Sequence, residues 1–361
     1  MARALAVSAD VLGTTSPNPP VGAVILNADG QVVGVGATRP VGGPHAEVVA
    51  LQQAGQRARG GTAVVTLEPC AHTGRTPPCT RALLAAGIAR VVVGVKDPDP
   101  VAAGGVTQLR AAGVRVEVGR GAGAVAAGPL RAWLHRTGTG RPFLTWKTAA
   151  TLDGRSAAAD GTSRWITSPA ARADVHRLRA QVDAIVVGTG TALADNPSLT
   201  VRLPHDRAGP AGALGPAAGT APGTAPVGVR RPLRVVVGHR RLPPDAALLD
   251  QRAAPTLLLS THDPAQVLAE LAGRGIVSVL LEGGPTLAGA FVAAGLVDRV
   301  VAYLAPALLG SGLAALGPAG VASMAGIHRL TITDLTRVGD DVRIVADPQP
   351  PPLALPRAIG G

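Results

Sequence analysis

Apolar and polar positions alternate along the first third of the chain with periods that predict a succession of strands and helices. Apolar residues three and four apart predict helices, and short apolar runs bounded by turn residues predict strands. The predicted helices are Ala2 to Leu12, His45 to Gly55, Thr80 to Ala86 and Val106 to Ala112. The predicted strands are Val21 to Leu26, Gln31 to Val35, Ala63 to Leu67, Arg90 to Val95 and Val114 to Val118. This order of elements predicts an α/β domain.

The same kind of pattern starts again after Gly140. The predicted helices of this part are Pro169 to Gln181, Val267 to Arg274 and Thr286 to Ala294. The predicted strands are Pro142 to Ala149, Ala184 to Val187, Leu233 to Val237, Thr256 to Leu259, Val277 to Leu281, Arg299 to Tyr303, Leu330 to Thr333 and Val342 to Val345. A second α/β domain follows from this order.

Length and composition divide the chain further. A chain of 361 residues is long for one domain, and we predict two, at 1–140 and 141–348. Residues 119–128 are rich in Gly and Ala and predict a linker, followed by a short helix from Leu130 to His135. Residues 205–230 and 349–361 are dominated by Ala, Gly and Pro, which cannot bury a core. We predict a mobile surface insertion and a flexible tail there.

The net charge of +11 suggests a nucleic-acid partner, but the distribution of the charge does not. Lysine occurs only at Lys96 and Lys147, the arginines form no dense block, and aromatic residues, at 2%, do not interleave with them. We therefore expect no nucleic-acid partner. No apolar run reaches the roughly 18 residues that a membrane span needs, so we expect no membrane partner either. Two cysteines, both with the character of metal ligands, indicate a reducing cytoplasm.

One histidine and both cysteines have the spacing of a catalytic metal site. His45 stands at the start of a predicted helix, Cys70 follows a predicted strand, and Cys79 begins another helix. One imidazole and two thiolates leave the fourth position of a tetrahedral zinc ion open for water, which is the catalytic arrangement. Glu47 lies two residues after His45, as in the H-x-E half of the zinc nucleobase deaminases, where the Glu moves protons without binding the metal. The alternative is a helix-start histidine with two buried free thiols.

Two glycine-rich turns in the second half suggest nucleotide binding. One predicted strand runs into Gly188-Thr189-Gly190-Thr191, and another into Glu282-Gly283-Gly284-Pro285-Thr286. Turns of this kind offer free backbone N–H groups to phosphates. Neither is a Rossmann fingerprint, because Leu193 stands where the third Gly of G-x-G-x-x-G would be. Each turn alone is also compatible with a plain tight turn.

The N-terminal motifs resemble those of the bifunctional riboflavin-biosynthesis deaminase–reductase family. Thr15-Ser16-Pro17-Asn18-Pro19, Gly43-Pro44-His45-Ala46-Glu47-Val48 and the stretch from Cys70 to Cys79 are similar to its deaminase signature. The eight residues between the cysteines are typical of this family, whereas cytidine, tRNA-adenosine and editing deaminases have P-C-x-x-C. The resemblance implies a cytidine-deaminase-like three-layer α/β domain that binds Zn²⁺ through His45, Cys70 and Cys79. Glu47 would be catalytic, and Asn18 and Arg75 would bind substrate.

The resemblance continues through the second half. Lys147 to Arg155, Ser163 to Thr167, Leu193 to Pro197, Leu199 to Arg202 and Glu282 to Ala288 are similar to motifs of the family's reductase domain. It implies a dihydrofolate-reductase-like α/β domain that uses NADPH. By the same resemblance, the NADPH contacts are Lys147, Ala149, Trp165, Thr191, Asp195, Gly284, Pro285, Thr286 and Leu287. The ribose-phosphate contacts are Ser163, Arg179, Leu199, Arg202 and Glu282.

The reaction implied is deamination of 2,5-diamino-6-(5-phosphoribosylamino)pyrimidin-4-one, followed by reduction of its ribosyl group to ribityl. The partner is thus a small pyrimidine ribotide, and a homo-oligomer is expected. Thr38 replaces a histidine that the family has near the substrate, and Val237-Gly238-His239 departs from its usual strand end beside the cofactor. Three alternative hypotheses for the function remain open. They are a nucleic-acid or tRNA deaminase with an accessory domain, an inactive zinc-stabilised partner protein, and a dihydrofolate reductase with a structural zinc module.

Overall fold

The N-terminal part folds around a mixed five-stranded sheet. The computed structural model describes residues 1–73, 77–203 and 231–349. The strands of the first sheet are β1 Gly22–Leu26, β2 Val32–Ala37, β3 Thr62–Leu67, β4 Arg90–Val95 and β5 Arg115–Val118. Their spatial order is β2-β1-β3-β4-β5, with β3, β4 and β5 parallel. The predicted hairpin of β1 and β2 is confirmed, and the Asn27 side chain closes its turn by accepting hydrogen bonds from the backbone N–H of Asp29 and Gln31.

Four of the helices in this part follow the predicted pattern closely. They are α1 Ala2–Asp10, α2 Ala46–Ala54, α3 Cys79–Ala85 and α4 Gly105–Ala111. Helix α2 packs very closely against β2 at Gly36. A Cβ atom on Gly36 would lie only 2.4 Å from the carbonyl oxygen of Ala46, so only glycine permits this approach. This close approach fixes the first turn of α2, which carries Glu47 and follows His45.

The predicted linker at 119–128 is wrong as a description of that segment. It contains helix α5, Ala122–Ala127, and is followed by α6, Arg131–Thr139. Val125 and Leu130 are completely buried and belong to the same apolar cluster as the strands of the first sheet. Val125 therefore anchors α5, whose other residues are Ala and Gly, and Leu130 anchors the start of α6.

The C-terminal part folds around an eight-stranded sheet with the order β12-β13-β11-β6-β10-β7-β8-β9. Its strands are β6 Phe143–Thr151, β7 Ala184–Gly188, β8 Leu233–Val237, β9 Thr256–Leu259, β10 Ser278–Leu281, β11 Arg299–Ala305, β12 Leu330–Val338 and β13 Asp341–Pro348. Strands β11, β6, β10, β7, β8 and β9 are parallel to one another. Strand β13 pairs in an antiparallel manner with both of its neighbours, β11 and β12. The helices of this part are α7 Pro169–Ala180, α8 Thr189–Asp195, α9 Pro264–Gly273 and α10 Pro285–Ala293.

Parallel strands bring the loops at their carboxyl ends to one edge of each sheet. In the first sheet this edge holds the Cys70 segment after β3, and in the second it holds the glycine-rich turns after β7 and β10. Within the described ranges, no helix is both long and apolar enough to span a membrane. The predicted insertion at 205–230, Arg75, and the predicted tail beyond Gln349 lie outside the described residues.

Candidate functional site

Three donor side chains from separate elements meet at the edge of the first sheet. The His45 imidazole, the Cys70 thiol and the Cys79 thiol place their ligand atoms within 4.8 Å of one another. His45 Nδ1 lies 3.6 Å from Cys70 Sγ and 3.3 Å from Cys79 Sγ. A tetrahedral zinc ion requires this kind of convergence of nitrogen and sulfur ligands, so the residues present fit the metal.

The local backbone favours the thiolate form of Cys70, which in turn raises the pKa of the buried Cys79 thiol beside it. The backbone N–H of Cys79 donates a hydrogen bond of 3.3 Å to Cys70 Sγ. Hydrogen bonding from Cys79 to its sulfur lowers the pKa of Cys70 to about 4, in spite of the burial of the thiol. A thiolate, not a thiol, is the form that binds metal ions. The loop from β3 to α3 therefore stabilises the required charge.

Glu47 lies beside this cluster without belonging to it. Its carboxyl group is in the first turn of α2 and only 4% exposed. Burial raises the pKa of Glu47 to about 7. Glu47, His45 and Cys70 line the same cavity. A carboxyl group in this position can accept and return a proton close to neutral pH.

The cavity has a volume of about 440 Å³ and is lined by two of the three donor residues, His45 and Cys70. Asn18 lines it from the turn after α1, where its backbone N–H donates to the Thr15 carbonyl. Thr38 also lines it, but the Thr38 hydroxyl is occupied as an acceptor from the Val21 N–H at 3.1 Å. Thr38 thus ties β1 to β2 at the rim.

Several residues of this site were not anticipated from the sequence. His72, Asp97, Asp99 and Trp133 line the cavity. The acidic pair could have been found, because it follows β4 at the same sheet edge as Cys70. Burial, with Asp99 nearby, raises the pKa of Asp97 to about 6. Trp133 had no local signal, since it lies on α6, distant in sequence.

Glu68 has a different role although it adjoins the metal-binding segment. Its two carboxylate oxygens accept hydrogen bonds from the backbone N–H groups of Val106, at 2.8 Å, and Asp97, at 3.2 Å. Glu68 therefore joins the start of α4 to the loop after β4.

The second sheet carries its predicted residues at the carboxyl ends of β6, β7 and β10. Lys147 and Ala149 are on β6, Thr191 and Asp195 are on α8, and Gly284 precedes α10. A Cβ on Gly284 would stand 3.0 Å from the Thr191 hydroxyl. The starts of α8 and α10 are thus adjacent, and a larger residue at 284 would fill the space between them. Pro285, Thr286 and Leu287 form the first turn of α10.

A buried ion pair closes one side of this second site. Arg179 on α7 binds Glu282 through two hydrogen bonds, Nε to Oε1 at 2.6 Å and Nη2 to Oε2 at 2.9 Å. Burial opposes ionisation of Glu282, but the Arg179 charge keeps the pKa of this carboxyl below its usual value. Burial lowers the pKa of Lys147 nearby, and the Glu282 charge counteracts it. Arg179 also donates to the Thr200 carbonyl at 3.2 Å, which holds the segment next to Leu199.

Ser163, Trp165 and Arg202, also predicted for the reductase half, each contact a different neighbour. The Ser163 hydroxyl donates to Asp195 at 3.4 Å. Trp165 is 69% exposed, and the Arg172 guanidinium lies 4.4 Å from its ring centroid. The Arg202 backbone N–H donates to His176 at 3.2 Å. His239, one of the two departures, packs edge-on against His262 with 4.6 Å between the ring centroids.

Fold and site together define a class of protein: a deaminase-type domain with a His-Cys-Cys metal cluster, joined to a nucleotide-binding α/β domain. Residues 1–95 match the family model of the cytidine and deoxycytidylate deaminase zinc-binding region. Residues 142–344 match the family model of the RibD C-terminal domain.

Similarity to known proteins extends over the whole chain. The riboflavin biosynthesis protein RibD of Mycobacterium tuberculosis is 50% identical over 342 residues, which is 95% of this chain and 94% of that protein. RibD of Escherichia coli is 42% identical, with 95% and 96% covered. The structure of Acinetobacter baumannii RibD matches with a TM-score of 0.84 at 37% identity, covering 97% of this chain and 98% of that one.

The chain belongs to the RibD family. It is accordingly a bifunctional enzyme, with a zinc-dependent deaminase domain and an NADPH-dependent reductase domain. The predicted fold class, a cytidine-deaminase-like domain and a dihydrofolate-reductase-like domain, is confirmed. The matches do not favour the nucleic-acid deaminase alternative.

Proposed function

We propose that this chain catalyses two consecutive steps of riboflavin biosynthesis on one pyrimidine ribotide. The first is deamination of 2,5-diamino-6-(5-phosphoribosylamino)pyrimidin-4-one, and the second is reduction of the ribosyl group of the product to ribityl. A Thermotoga maritima protein described as a diaminohydroxyphosphoribosylaminopyrimidine deaminase and 5-amino-6-(5-phosphoribosylamino)uracil reductase matches with a TM-score of 0.82 at 30% identity. The observation that carries the proposal is the cluster of His45, Cys70 and Cys79, of which His45 and Cys70 line one cavity together with Glu47.

The domain division that we propose is 1–140 for the deaminase and 141–348 for the reductase, with 349–361 as a tail. Support comes from the separate sheets, since β5 of the first ends at Val118 and β6 of the second begins at Phe143. Gly140 ends α6 in a left-handed conformation, with φ of 77°, which favours glycine.

In the deaminase step, we assign His45, Cys70 and Cys79 as the zinc ligands. Zinc, when bound, supplies the Lewis acidity that lets water act as a nucleophile at neutral pH. Glu47 takes the proton of the attacking water and delivers protons to the ring nitrogen and to the departing ammonia. We assign the Asn18 side chain, which lines the cavity, to a hydrogen bond with the pyrimidine, and Arg75 to the phosphate.

In the reductase step, NADPH supplies the hydride, and the protein orients it toward C1 of the ring-opened ribosyl group. The turns at Thr191 and Gly284 are assigned to the cofactor, with Lys147, Ala149, Trp165, Asp195 and the first turn of α10. Ser163, Arg179, Leu199, Arg202 and Glu282 are assigned to the substrate. Because the Arg179 guanidinium is already engaged by Glu282 and Thr200, we assign the direct phosphate contact to Arg202.

A coupled assay tests both halves. Full-length protein with its zinc content measured is given the diaminopyrimidine ribotide, and ammonia release and NADPH oxidation are recorded together. Glu47→Gln should retain zinc and lose ammonia release, while reduction of the deaminated ribotide continues. Glu117→Gln is a matched control, because Glu117 is on β5 in a surface ion pair with Arg90. Near-normal ammonia release by Glu47→Gln would refute the role of Glu47, and NADPH oxidation with dihydrofolate instead of the ribotide would refute the second step.

We also propose that the chain forms a homo-oligomer and acts in the cytoplasm. The cytoplasmic assignment is supported by two cysteines that both contribute to the metal cluster. Support for self-association comes from β12, the edge strand of the second sheet, where Ile332 and Leu335 are 57% and 63% exposed. An apolar edge strand pairs readily with another chain. Light scattering after gel filtration measures the state, and a monomer at micromolar concentration would contradict this part.

A further inference from the structure

One wall of the deaminase cavity comes from outside the deaminase sheet. Trp133 is on α6, which follows the last strand of that sheet, and it lines the cavity with His45 and Glu47. It is only 9% exposed and packs in the apolar cluster of the first sheet. Among the described residues that line this cavity, no Phe, Tyr or other Trp occurs.

Helix α6 is bound to the second sheet by its charged side chains. Arg131 Nη1 lies 2.8 Å from Asp347 Oδ2 on β13, and Asp347 also binds Arg299 on β11 at 3.0 Å. The Arg131 guanidinium lies 4.9 Å from the centroid of the Phe143 ring. The Arg131 and Asp347 side chains are 23% and 20% exposed, so their attraction is less screened by solvent than that of a surface pair.

The end of α6 and the residues after it have a second attachment. Arg141 binds Asp298 with two hydrogen bonds, at 2.7 and 2.6 Å, and Asp298 also accepts the Leu144 backbone N–H at 2.8 Å. Arg136 donates to the carbonyl of Ala272 at 2.9 Å. The reductase half therefore holds α6 through Asp347, Asp298 and Ala272, and together with the apolar cluster of the first sheet it sets the position of Trp133.

We propose that Trp133 is the surface against which the pyrimidine ring of the deaminase substrate packs, and that the reductase domain positions it through Arg131 and Arg141. This inference rests on the proposed function, which supplies a heteroaromatic ring as the ligand of the cavity. Flat aromatic side chains bind such rings by stacking, without selecting among hydrogen-bonding edges. The deaminase cavity is complete only when α6 is docked on the second sheet.

Steady-state kinetics on full-length variants test the contact. Trp133→Leu should raise the deaminase KM about tenfold or more, the change expected for a lost base–aromatic stack, with a much smaller effect on kcat. Trp133→Phe should retain most of the affinity. Zinc content and the reductase KM for the deaminated ribotide should stay at wild-type values. A deaminase KM within twofold of wild type in Trp133→Leu would overturn the contact.

The positioning role has its own variant and control. Arg131→Gln breaks the Asp347 pair and should raise the deaminase KM about threefold, with kcat unchanged. Arg274→Gln removes the same charge from a solvent-exposed pair with Glu270 and should change neither parameter. Equal kinetics for the two arginine variants would overturn the positioning role.

Fluorescence gives a readout that is independent of turnover. The protein has three tryptophans. In Glu47→Gln, which does not turn over the diaminopyrimidine ribotide and serves as the background for these measurements, binding of that ribotide, which is not the reductase substrate, should quench Trp133. This quenching should disappear in Trp133→Phe, whereas quenching by NADPH should remain. Quenching by the ribotide that persists in Trp133→Phe would overturn the inference even if Trp133→Leu folds poorly. If the wild-type protein releases no ammonia, the proposed function itself is overturned. If the wild-type protein turns over the ribotide and the Trp133 variants have the same deaminase KM as the wild type, only this inference is overturned.

Discussion

The metal cluster depends on a close approach between two backbone segments at Gly105. This residue begins α4, and a Cβ atom placed on it would lie 1.8 Å from the carbonyl oxygen of Pro69, the residue before Cys70. Separations under 3.0 Å are essentially never seen for real Cβ atoms. Gly105→Ala must therefore open this contact by at least 1.2 Å, the difference between 3.0 and 1.8 Å.

The strain falls on both segments. The Glu68 carboxylate accepts the Val106 N–H at 2.8 Å, and Glu68 is followed directly by Pro69, so the two segments are joined on either side of the contact. We expect the part of the displacement taken by Pro69 to shift the adjacent Cys70. Metal–ligand distances tolerate changes of only about 0.2 Å, and overpacking a tight contact typically costs about 1–3 kcal/mol. If this strain is concentrated in the zinc-bound state, zinc affinity should fall roughly 5- to 150-fold.

Competition with a chromophoric zinc chelator measures the change, and ammonia release should fall with zinc occupancy. Gly123→Ala is the matched control, because Gly123 lies in α5 and a Cβ there would meet no atom within 4 Å. It should leave zinc binding unchanged and should not destabilise the protein, since Ala favours helices over Gly. Wild-type zinc affinity in Gly105→Ala, within about twofold, would refute the argument that this contact sets the position of Cys70.

Two further predictions concern buried charges of the reductase half. Burial alone would raise the pKa of Asp174, but hydrogen bonds from Tyr303 and Arg343 keep it below the ordinary 3.8. The ionised Asp174 therefore stabilises the fold above pH 3.8, its ordinary pKa in the unfolded chain. This stabilisation is lost as the pH falls through the lower pKa that Asp174 has in the folded protein. Asp174→Asn should lower the free energy of unfolding by about 1–3 kcal/mol at neutral pH. Urea unfolding of the variant and the wild type measures this difference. A difference that stays the same at acid pH would contradict the prediction. Arg179→Gln should destabilise by about 3 kcal/mol or more, because Glu282 stays buried without its guanidinium. Adding Glu282→Gln should recover part of that loss, and strictly additive losses would argue against coupling of the pair.

The regular elements could be predicted from the sequence because their apolar residues are buried in the expected periods. Strands β4, β8 and β9 have the predicted bounds, and most others differ by one or two residues. Strand β12 is the largest difference, since it runs from Leu330 to Val338 and not to Thr333. Nearly all of its residues are exposed at the sheet edge, so no buried face marks its length in the sequence.

The convergence of His45, Cys70 and Cys79 near Glu47 was predicted from the sequence, because these residues lie in short motifs at the ends of predicted elements. Asn18 was predicted as well, and Asp97 and Asp99 follow a predicted strand, but the contributions of Trp133 and Glu68 were not anticipated. Trp133 reaches the cavity from a helix that is attached to the other sheet, and Glu68 acts by joining α4 to the loop after β4. Contacts of this kind depend on how separate elements pack, and neither local period nor spacing encodes them.

The arginine-rich composition is consistent with a small-molecule enzyme, because several of the arginines form hydrogen bonds and ion pairs within the protein. Arg234 is completely buried on β8, where its two terminal nitrogens donate to four backbone carbonyls, those of Ser198, Ala247, Asp250 and Ala254. Other arginines are paired with acidic residues in Arg179–Glu282, Arg343–Asp174, Arg131–Asp347 and Arg141–Asp298. A guanidinium with five donors can join several loops at once, and in a chain with 2% aromatic residues this supplies cross-links between elements. The four ion pairs contribute nothing to the net charge of +11, and the buried Arg234 contributes one unit of it that a nucleic acid could not reach.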